Sequence, residues 1–207
     1  MTFPSLRTAG PQWYELSPEA TEDISHVAEP VAHDDAVARR LRRAGRLDEP
    51  PILKWRWRGD TSGPGDVVWT LDGIRLISPR VREILDSHLG PADEIQWLPG
   101  VILGAGGSEL DYWTPHLPVH HDVLDEDLTD RSPRMGTPGR YVYSSTKLEG
   151  HSVTTWCTPD WVVRGRGREV TMPSTTADSI LIVTAAVALA LRTAEVTGAR
   201  IEPAPVH

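Results

Sequence analysis

The sequence is poor in several residue types, and each scarcity excludes a class of protein. Cysteine is represented only by Cys157, so no intramolecular disulfide can form and a cysteine-ligated zinc ribbon cannot be built. The longest apolar run, Ile180 to Leu191, is shorter than the roughly 18 to 20 residues that a membrane-spanning helix needs. The N-terminal residues contain no apolar stretch of signal-peptide length. We therefore expect a cytoplasmic protein in a reducing compartment, with no membrane segment.

Basic residues are also scarce, because lysine occurs only at Lys54 and Lys147 and most positive charge is carried by arginine. The 29 acidic residues outnumber the 21 Lys and Arg residues, which gives a formal net charge of -8 at pH 7. Such a charge disfavours a whole-surface attraction to nucleic acid or to an anionic membrane. It favours a basic partner.

Length and composition favour one folded domain. The chain has 207 residues, of which 39% are hydrophobic, enough for one sizeable core. We expect residues 1–30 to form an N-terminal arm with one short strand and residues 31–207 to form a single domain. Capping residues and apolar spacing predict three helices, near residues 34–44, 79–89 and 185–195.

Two stretches of the chain share one order of strand, cap and helix. Gly73 to Ile77 is predicted to be a strand, Ser78 an N-cap with Pro79 after it, and Ile95 to Leu103 a second strand. An offset of 106 positions pairs Ser78 with Thr184, Val81 with Val187, Leu85 with Leu191, and Ile95 with Ile201. We therefore predict an α+β domain with two strand–helix–strand units and a mixed, mostly antiparallel sheet covered by a few short helices.

One cluster of side chains offers metal-ligating chemistry. His116, His120, His121 and Asp122 supply imidazole and carboxylate groups within seven residues, a donor set that Zn²⁺ or another divalent ion accepts. On a strand, however, His120 and His121 would point to opposite faces. A metal-dependent enzyme or accessory protein of a bacterial biosynthetic or toxin gene cluster is therefore an alternative hypothesis, beside the prediction that no cofactor is bound.

Three other patterns have structural interpretations that we favour over functional ones. The Gly104–Gly107 run follows a strand but no helix pattern follows it, so we expect a hairpin loop and not a phosphate cradle. Cys157 has no local base, and we expect an inert core side chain. Trp55 and Trp57 alternate with basic residues in a predicted strand; a core-facing pair is favoured over an RNA-stacking platform.

Charge placement is more informative than any catalytic motif. The segment from Glu109 to Asp130 contains seven acidic residues and no Lys or Arg. A local cluster of this kind raises the association rate with a basic partner, although a solvated acidic loop is the competing interpretation. The candidate partner-binding residues are Trp113, Asp122, Asp125, Glu126, Asp127 and Asp130.

Several of these segments resemble one family in order and spacing. Leu76-Ile-Ser-Pro-Arg-Val-Arg-Glu-Ile-Leu85, Glu94-Ile-Gln-Trp-Leu-Pro99, Asp122-Val-Leu-Asp125 with Thr129, and Ile182-Val-Thr184 with Thr197-Gly-Ala-Arg-Ile-Glu-Pro203 are similar to motifs of the Imm-eleven family of bacterial immunity proteins. The resemblance spans about residues 50–205.

The resemblance implies a cytoplasmic, non-enzymatic protein encoded beside a polymorphic toxin. Such a protein protects the producing cell by binding its cognate toxin and occluding the toxin's active surface. We therefore predict an immunity protein whose acidic surface attracts a basic toxin and whose exposed aromatic residues anchor it.

Overall fold

The computed structural model describes residues 12–19, 27–31, 35–41, 43–59, 63–129, 141–155, 157–158, 161–165, 168–172, 175–176 and 180–207. The helices are α1 (Asp35–Leu41), α2 (Pro79–Asp86) and α3 (Ala185–Thr193). The strands are β1 (Trp13–Pro18), β2 (Ala28–Pro30), β3 (Leu53–Trp57), β4 (Val67–Trp69), β5 (Arg75–Ile77), β6 (Gln96–Leu103), β7 (Glu109–His116), β8 (Val153–Thr154), β9 (Cys157–Thr158), β10 (Trp161–Gly165), β11 (Arg168–Met172), β12 (Thr175–Thr176), β13 (Leu181–Thr184) and β14 (Ala199–Pro203).

The larger sheet has six strands and curls until its edges meet. Its order is β2–β3–β6–β7–β5–β4, and every neighbouring pair is antiparallel except β3 and β6. Ala28 of β2 forms a parallel bridge with Thr70, next to β4, and the Leu71 N–H donates to the Ala28 carbonyl oxygen at 3.0 Å. This sheet therefore has an inner face and an outer face.

The smaller sheet has the order β14–β1–β13–β8 and is antiparallel throughout. The N-terminal region, expected to be an arm with one short strand, supplies β1, which lies between β13 and β14. Leu16 of β1 is fully buried. Two further pairs, β10–β11 and β12–β9, form separate two-stranded ribbons. The predicted mixed, mostly antiparallel α+β architecture is confirmed.

Both predicted strand–helix–strand units are present, and each contains an inserted strand. β5 and β6 both run antiparallel to β7, which lies between them, and β13 and β14 both run antiparallel to β1. The two helix caps adopt the same extended backbone, with φ −67° and ψ 161° at Ser78 and φ −66° and ψ 162° at Thr184. The Ser78 side chain accepts from the Val81 N–H at 3.4 Å. Both residues therefore occupy the predicted N-cap positions, but the Thr184 side chain forms no capping hydrogen bond.

An inner apolar cluster fills the curled sheet. All six strands contribute to it, and Ala38 and Leu41 of α1 pack against it. Trp55 is fully buried there, so it cannot stack on a nucleic-acid base. A Cβ added at Gly100 would lie 2.7 Å from the Trp55 ring, so only glycine fits beside this indole. The members of this cluster that belong to strands are Ala28, Leu53, Trp55, Val68, Leu76, Leu98, Ile102 and Tyr112.

An outer cluster joins the two sheets. α2, α3, the outer face of the larger sheet and one face of the smaller sheet all contribute apolar side chains to it. The apolar stripes predicted for the two helices are confirmed. Val81 and Leu85 of α2 are fully buried, and so are Val187 and Leu191 of α3. A third cluster packs Val123 and other loop side chains against Ile182 of the smaller sheet.

Helix and loop boundaries differ from the sequence expectations in detail. α1 ends at Leu41, earlier than residue 44, and the Leu41 carbonyl oxygen lies 2.9 Å from Nδ1 of the buried His116 of β7. Asp34, the first residue of the predicted helix, lies outside the described residues. The Gly104–Gly107 run forms the β6–β7 hairpin loop, as predicted. Among the described residues, no helix is long and apolar enough to cross a membrane.

Asp66 connects the two strand–helix–strand units. Its Oδ1 accepts from the Ser78 hydroxyl at 2.7 Å, and its Oδ2 accepts from the Thr197 N–H and hydroxyl, both at 3.0 Å. Arg80 also donates to this carboxylate and, at 3.0 Å, to the carbonyl oxygen of Ala194 at the end of α3. Burial by itself raises the pKa of Asp66, but the hydrogen bonds it accepts, led by that from Arg80, outweigh burial and lower the pKa to about 2.

The Asp66→Asn variant should lose about 1 to 2 kcal/mol of unfolding free energy near neutral pH, because the amide has no charge for Arg80 and accepts fewer hydrogen bonds. A carboxylate with a lowered folded-state pKa stabilises the fold above its unfolded pKa of about 3.8, and this contribution disappears as the pH falls toward about 2. Urea denaturation at several pH values should therefore show a deficit that shrinks on acidification. Asp48→Asn, at an exposed loop carboxylate, is the control. A deficit that is constant down to pH 2 would contradict the assignment.

Candidate functional site

The predicted histidine cluster is divided among three environments. His116 is buried in β7, where its Nδ1 lies 2.9 Å from the Leu41 carbonyl oxygen and its Nε2 lies 2.8 Å from that of Gly45. Both ring nitrogens therefore face backbone carbonyl oxygens, which accept a hydrogen bond from a protonated ring nitrogen. His116 fastens the segment after α1 to the sheet.

His121 and Asp122 have other partners. The His121 ring lies edge-on to His151, with ring centroids 4.5 Å apart, and Lys147 Nζ lies 3.2 Å from Asp122 Oδ2. Burial lowers the pKa of His121, and the nearby charge of His151 lowers it further. Burial likewise lowers the pKa of His120, with His116 as a second cause. These lowered values keep both rings neutral near pH 7.

Across the part of the chain that the structure describes, no group of three or more His, Cys, Asp and Glu side chains is placed to hold a metal ion. The donor set predicted from His116, His120, His121 and Asp122 therefore gains no support from the geometry. The side chain of Cys157 lies outside the described residues, so its proposed role in the core stays a prediction.

A second buried carboxylate, missed by the sequence analysis, explains the position of His151. Asp93 Oδ2 accepts from the N–H groups of Gly90, Ser152 and Val153 at 2.6, 2.8 and 3.0 Å, and His151 Nδ1 lies 2.9 Å from Asp93 Oδ1. The side chains of Asp93 and His151 are 0% and 6% exposed. This pair joins the turn after α2 to β8, and its hydrogen bonds are those of a structural anchor.

The acidic segment forms a turn that packs on the smaller sheet, and its carboxylates differ in how many hydrogen bonds they accept within the protein. Asp125 Oδ1 accepts from the N–H groups of Asp127 and Leu128 at 3.1 and 3.2 Å, and His207 Nδ1 lies 3.2 Å from its Oδ2. Burial alone raises the pKa of Asp125, but these hydrogen bonds outweigh it and lower the pKa. Asp125 therefore shapes the turn.

The remaining predicted acidic residues of this turn face solvent. Asp122 and Glu126 share Lys147, at 3.2 and 3.7 Å. Asp127 is exposed and forms no ion pair with another described residue. We call residues 122–127 the acidic turn. Asp130 lies outside the described residues.

Trp113 lies elsewhere, in a groove beside α2. This groove has a volume of about 730 Å³ and runs along α2 on the outer face of the larger sheet. The Arg82 guanidinium lies 3.9 Å from the centroid of the Trp113 ring, a cation–π contact, and Arg82 also pairs with Asp86 at 3.5 Å. We call this feature the α2 groove; its walls are residues 50–53, the exposed side of α2, and Pro99–Val101 and Asp111–Trp113 of the sheet.

Three carboxylates line the α2 groove, and the sequence analysis had proposed none of them as binding residues. Asp86 accepts from the Trp97 indole N–H at 2.6 Å. Glu83 and Asp111 are exposed, and neither forms an ion pair with another described residue. The exposure of two of them could have been predicted from the sequence, because Glu83 and Asp86 lie on the face of α2 opposite the apolar stripe of Val81 and Leu85. Strand pairing alone brings Asp111 to them.

Comparisons with known proteins assign this chain to no family. No protein-family model matches this chain, and no curated protein matches its sequence. The resemblance to Imm-eleven immunity proteins consequently depends on the motifs quoted above.

Replacing His116 with Leu should lower the free energy of unfolding by about 1 to 3 kcal/mol, because the buried contact to the Leu41 carbonyl oxygen and the partly buried contact to that of Gly45 are lost. Urea denaturation at neutral pH measures this loss. His207→Leu is the matched control, since the His207 side chain is 73% exposed and should cost little. Equal costs for the two variants would show that the His116 contacts do not fasten the segment after α1.

Zn²⁺ should not stabilise the protein. A ligand that binds only the folded state raises the midpoint of thermal unfolding in proportion to the logarithm of its concentration. With His116 engaged by carbonyls, we expect the midpoint to stay constant as Zn²⁺ is added to metal-free protein. A rise that disappears in a variant with alanine at His116, His120 and His121 would restore the metal hypothesis.

Proposed function

We propose that this chain is a non-enzymatic immunity protein that binds a basic protein toxin and occludes the toxin's active surface. The expectation comes from the family resemblance, and the exposed acidic surface is the observation that supports it. Its site of action would be the cytoplasm of the producing cell, where the toxin would otherwise act.

The supporting observation is the imbalance of charge around the acidic segment. Lys147 is shared between two carboxylates of the acidic turn, and Lys54 Nζ lies 2.8 Å from Glu109 Oε1. Asp111 and Asp127 remain without an ion pair among the described residues. The surface around residues 109–127 therefore keeps a negative potential, which attracts a basic protein and repels nucleic acid.

Steric occlusion requires no catalytic group, and the α2 groove is consistent with it. Carboxylates, prolines and aromatic rings line the groove. Among the described residues, its lining contains no serine, cysteine or histidine that could form a nucleophile and base pair. Carboxylates beside apolar side chains suit a basic protein surface, and a bound immunity protein needs to do no more than cover the toxin.

The direct test is co-expression with each protein encoded beside this chain in its own genome. A neighbour that stops growth when produced alone, but not when produced with this chain, is the expected result. The two purified proteins should then form a stable complex on size exclusion. If no toxic neighbour is rescued, the immunity role is wrong.

Reversing charge on the acidic turn should slow association with that toxin. In Glu126→Lys/Asp127→Lys the association rate should fall by about tenfold or more at low salt, and the difference should shrink as salt screens the charges. Asp125 is left intact because it shapes the turn. Stopped-flow or surface-based kinetics measures the rate.

Glu195→Lys/Glu202→Lys is the control, since it makes the same change in net charge at two exposed positions, one after α3 and one in β14, where Glu202 pairs with Arg200 much as Glu126 pairs with Lys147. It should slow association much less. Equal slowing in both variants would mean that net charge alone, and not the acidic turn, sets the rate.

A further inference from the structure

The α2 groove exists because α2 is too short to cover the outer face of the larger sheet. The helix has eight residues and packs against β7. The neighbouring part of β6 is left uncovered, where Pro99 is exposed and Val101 half-buried. Both side chains lie on the same face as Trp113, because Pro99 pairs with Trp113 across the sheet and the residues alternate along β6.

The groove has apolar surface that nothing in the described structure covers. Ile52, on the wall opposite α2, is 80% exposed, and it is preceded by Pro50 and Pro51. Pro99 and Val101 add apolar side chains to the same groove, beside the Trp113 ring on which Arg82 stacks. Contiguous exposed apolar surface with a polar rim is typical of a protein-binding site.

The charge of the rim identifies the kind of occupant. Glu83 lies on the helical wall and Asp111 on the sheet wall, and both carboxylates lack an ion pair among the described residues. The one cation in the lining, Arg82, is already held by Asp86 and stacked on Trp113. This stacking shows that the indole face accepts a guanidinium group. A cationic, partly apolar segment therefore complements both walls.

We propose that the α2 groove is the docking site for an extended basic segment of a protein partner. Arg or Lys side chains of that segment pair with Glu83 and Asp111, and apolar side chains between them cover Ile52, Pro99 and Val101. The inference deepens the proposed function, since the segment belongs to the toxin if the immunity role is correct. The acidic turn then steers the encounter, and the groove holds the partner.

The experiment uses two fluorescein-labelled nonapeptides, one of alternating Arg and Leu and one of alternating Glu and Leu. Fluorescence anisotropy at physiological ionic strength measures their binding to the full chain. We expect the Arg–Leu peptide to bind and the Glu–Leu peptide not to bind. Quenching or a spectral shift of tryptophan emission that is lost in Trp113→Leu would place the peptide in the groove.

Two variants test the groove itself. Glu83→Gln/Asp111→Asn removes two charges with little change of shape and should weaken binding of the Arg–Leu peptide by about tenfold or more. Ile52→Ser keeps the charge and should weaken it severalfold. Because these positions are exposed, both variants should unfold at the wild-type temperature.

Glu126→Gln/Asp127→Asn is the matched control, because it also removes two negative charges, but from the acidic turn. It should leave the equilibrium affinity for the peptide nearly unchanged. If this control weakens binding as much as the groove variant does, or if the Arg–Leu peptide does not bind, the groove proposal is wrong.

The outcome separates the groove from the immunity role. Peptide binding in the groove without rescue from any toxic neighbour would refute the immunity role and leave the docking site standing. Rescue from a toxin that binds wild-type and groove variants with equal affinity would refute the docking site and leave the immunity role standing.

Discussion

The carboxylate of Asp66 is the contact on which the arrangement of the two strand–helix–strand units depends. It accepts from the cap of α2 through Ser78 and from the loop after α3 through Thr197, and Arg80 bridges the same carboxylate to the end of α3. The hydrogen bonds from these donors stabilise the ionised carboxylate and so lower its pKa. Each helix is too short to be stable alone, so their mutual position requires this fastening in addition to the outer apolar cluster.

Buried polar groups elsewhere follow the same logic. Asp93 gathers three backbone N–H groups and His151, and His116 lies between two backbone carbonyl oxygens. In each case a polar side chain contacts backbone groups at the end of a helix or strand and in the loop beside it. Two of the histidines that suggested metal chemistry thus have structural contacts: His116 lies against backbone carbonyl oxygens and the His121 ring packs against His151.

The exposed carboxylates belong to two surfaces with different geometry. The acidic turn is exposed, and part of its charge is neutralised by Lys147. The α2 groove is concave, and its carboxylates Glu83 and Asp111 flank apolar side chains. Long-range attraction acts on rates, whereas desolvated contacts in a groove determine affinity. A division of labour between a steering surface and a docking surface therefore needs no catalytic group, which agrees with a protein that acts by occupying its partner.

The sequence by itself determined the parts of this protein that depend on neighbouring residues. Ser78 and Thr184 as caps, the Val81–Leu85 and Val187–Leu191 stripes, and the Gly104–Gly107 hairpin were all predicted, because caps, stripes and turns are set by spacing along the chain. Only the tertiary structure decided which strands lie between others: β1 enters the second unit from far away in the sequence, and β7, the hairpin neighbour of β6, also pairs with β5. The position of β7 between β5 and β6 brings Asp111 to the α2 groove. Contacts of this kind depend on the packing of the whole core, and no local spacing records them.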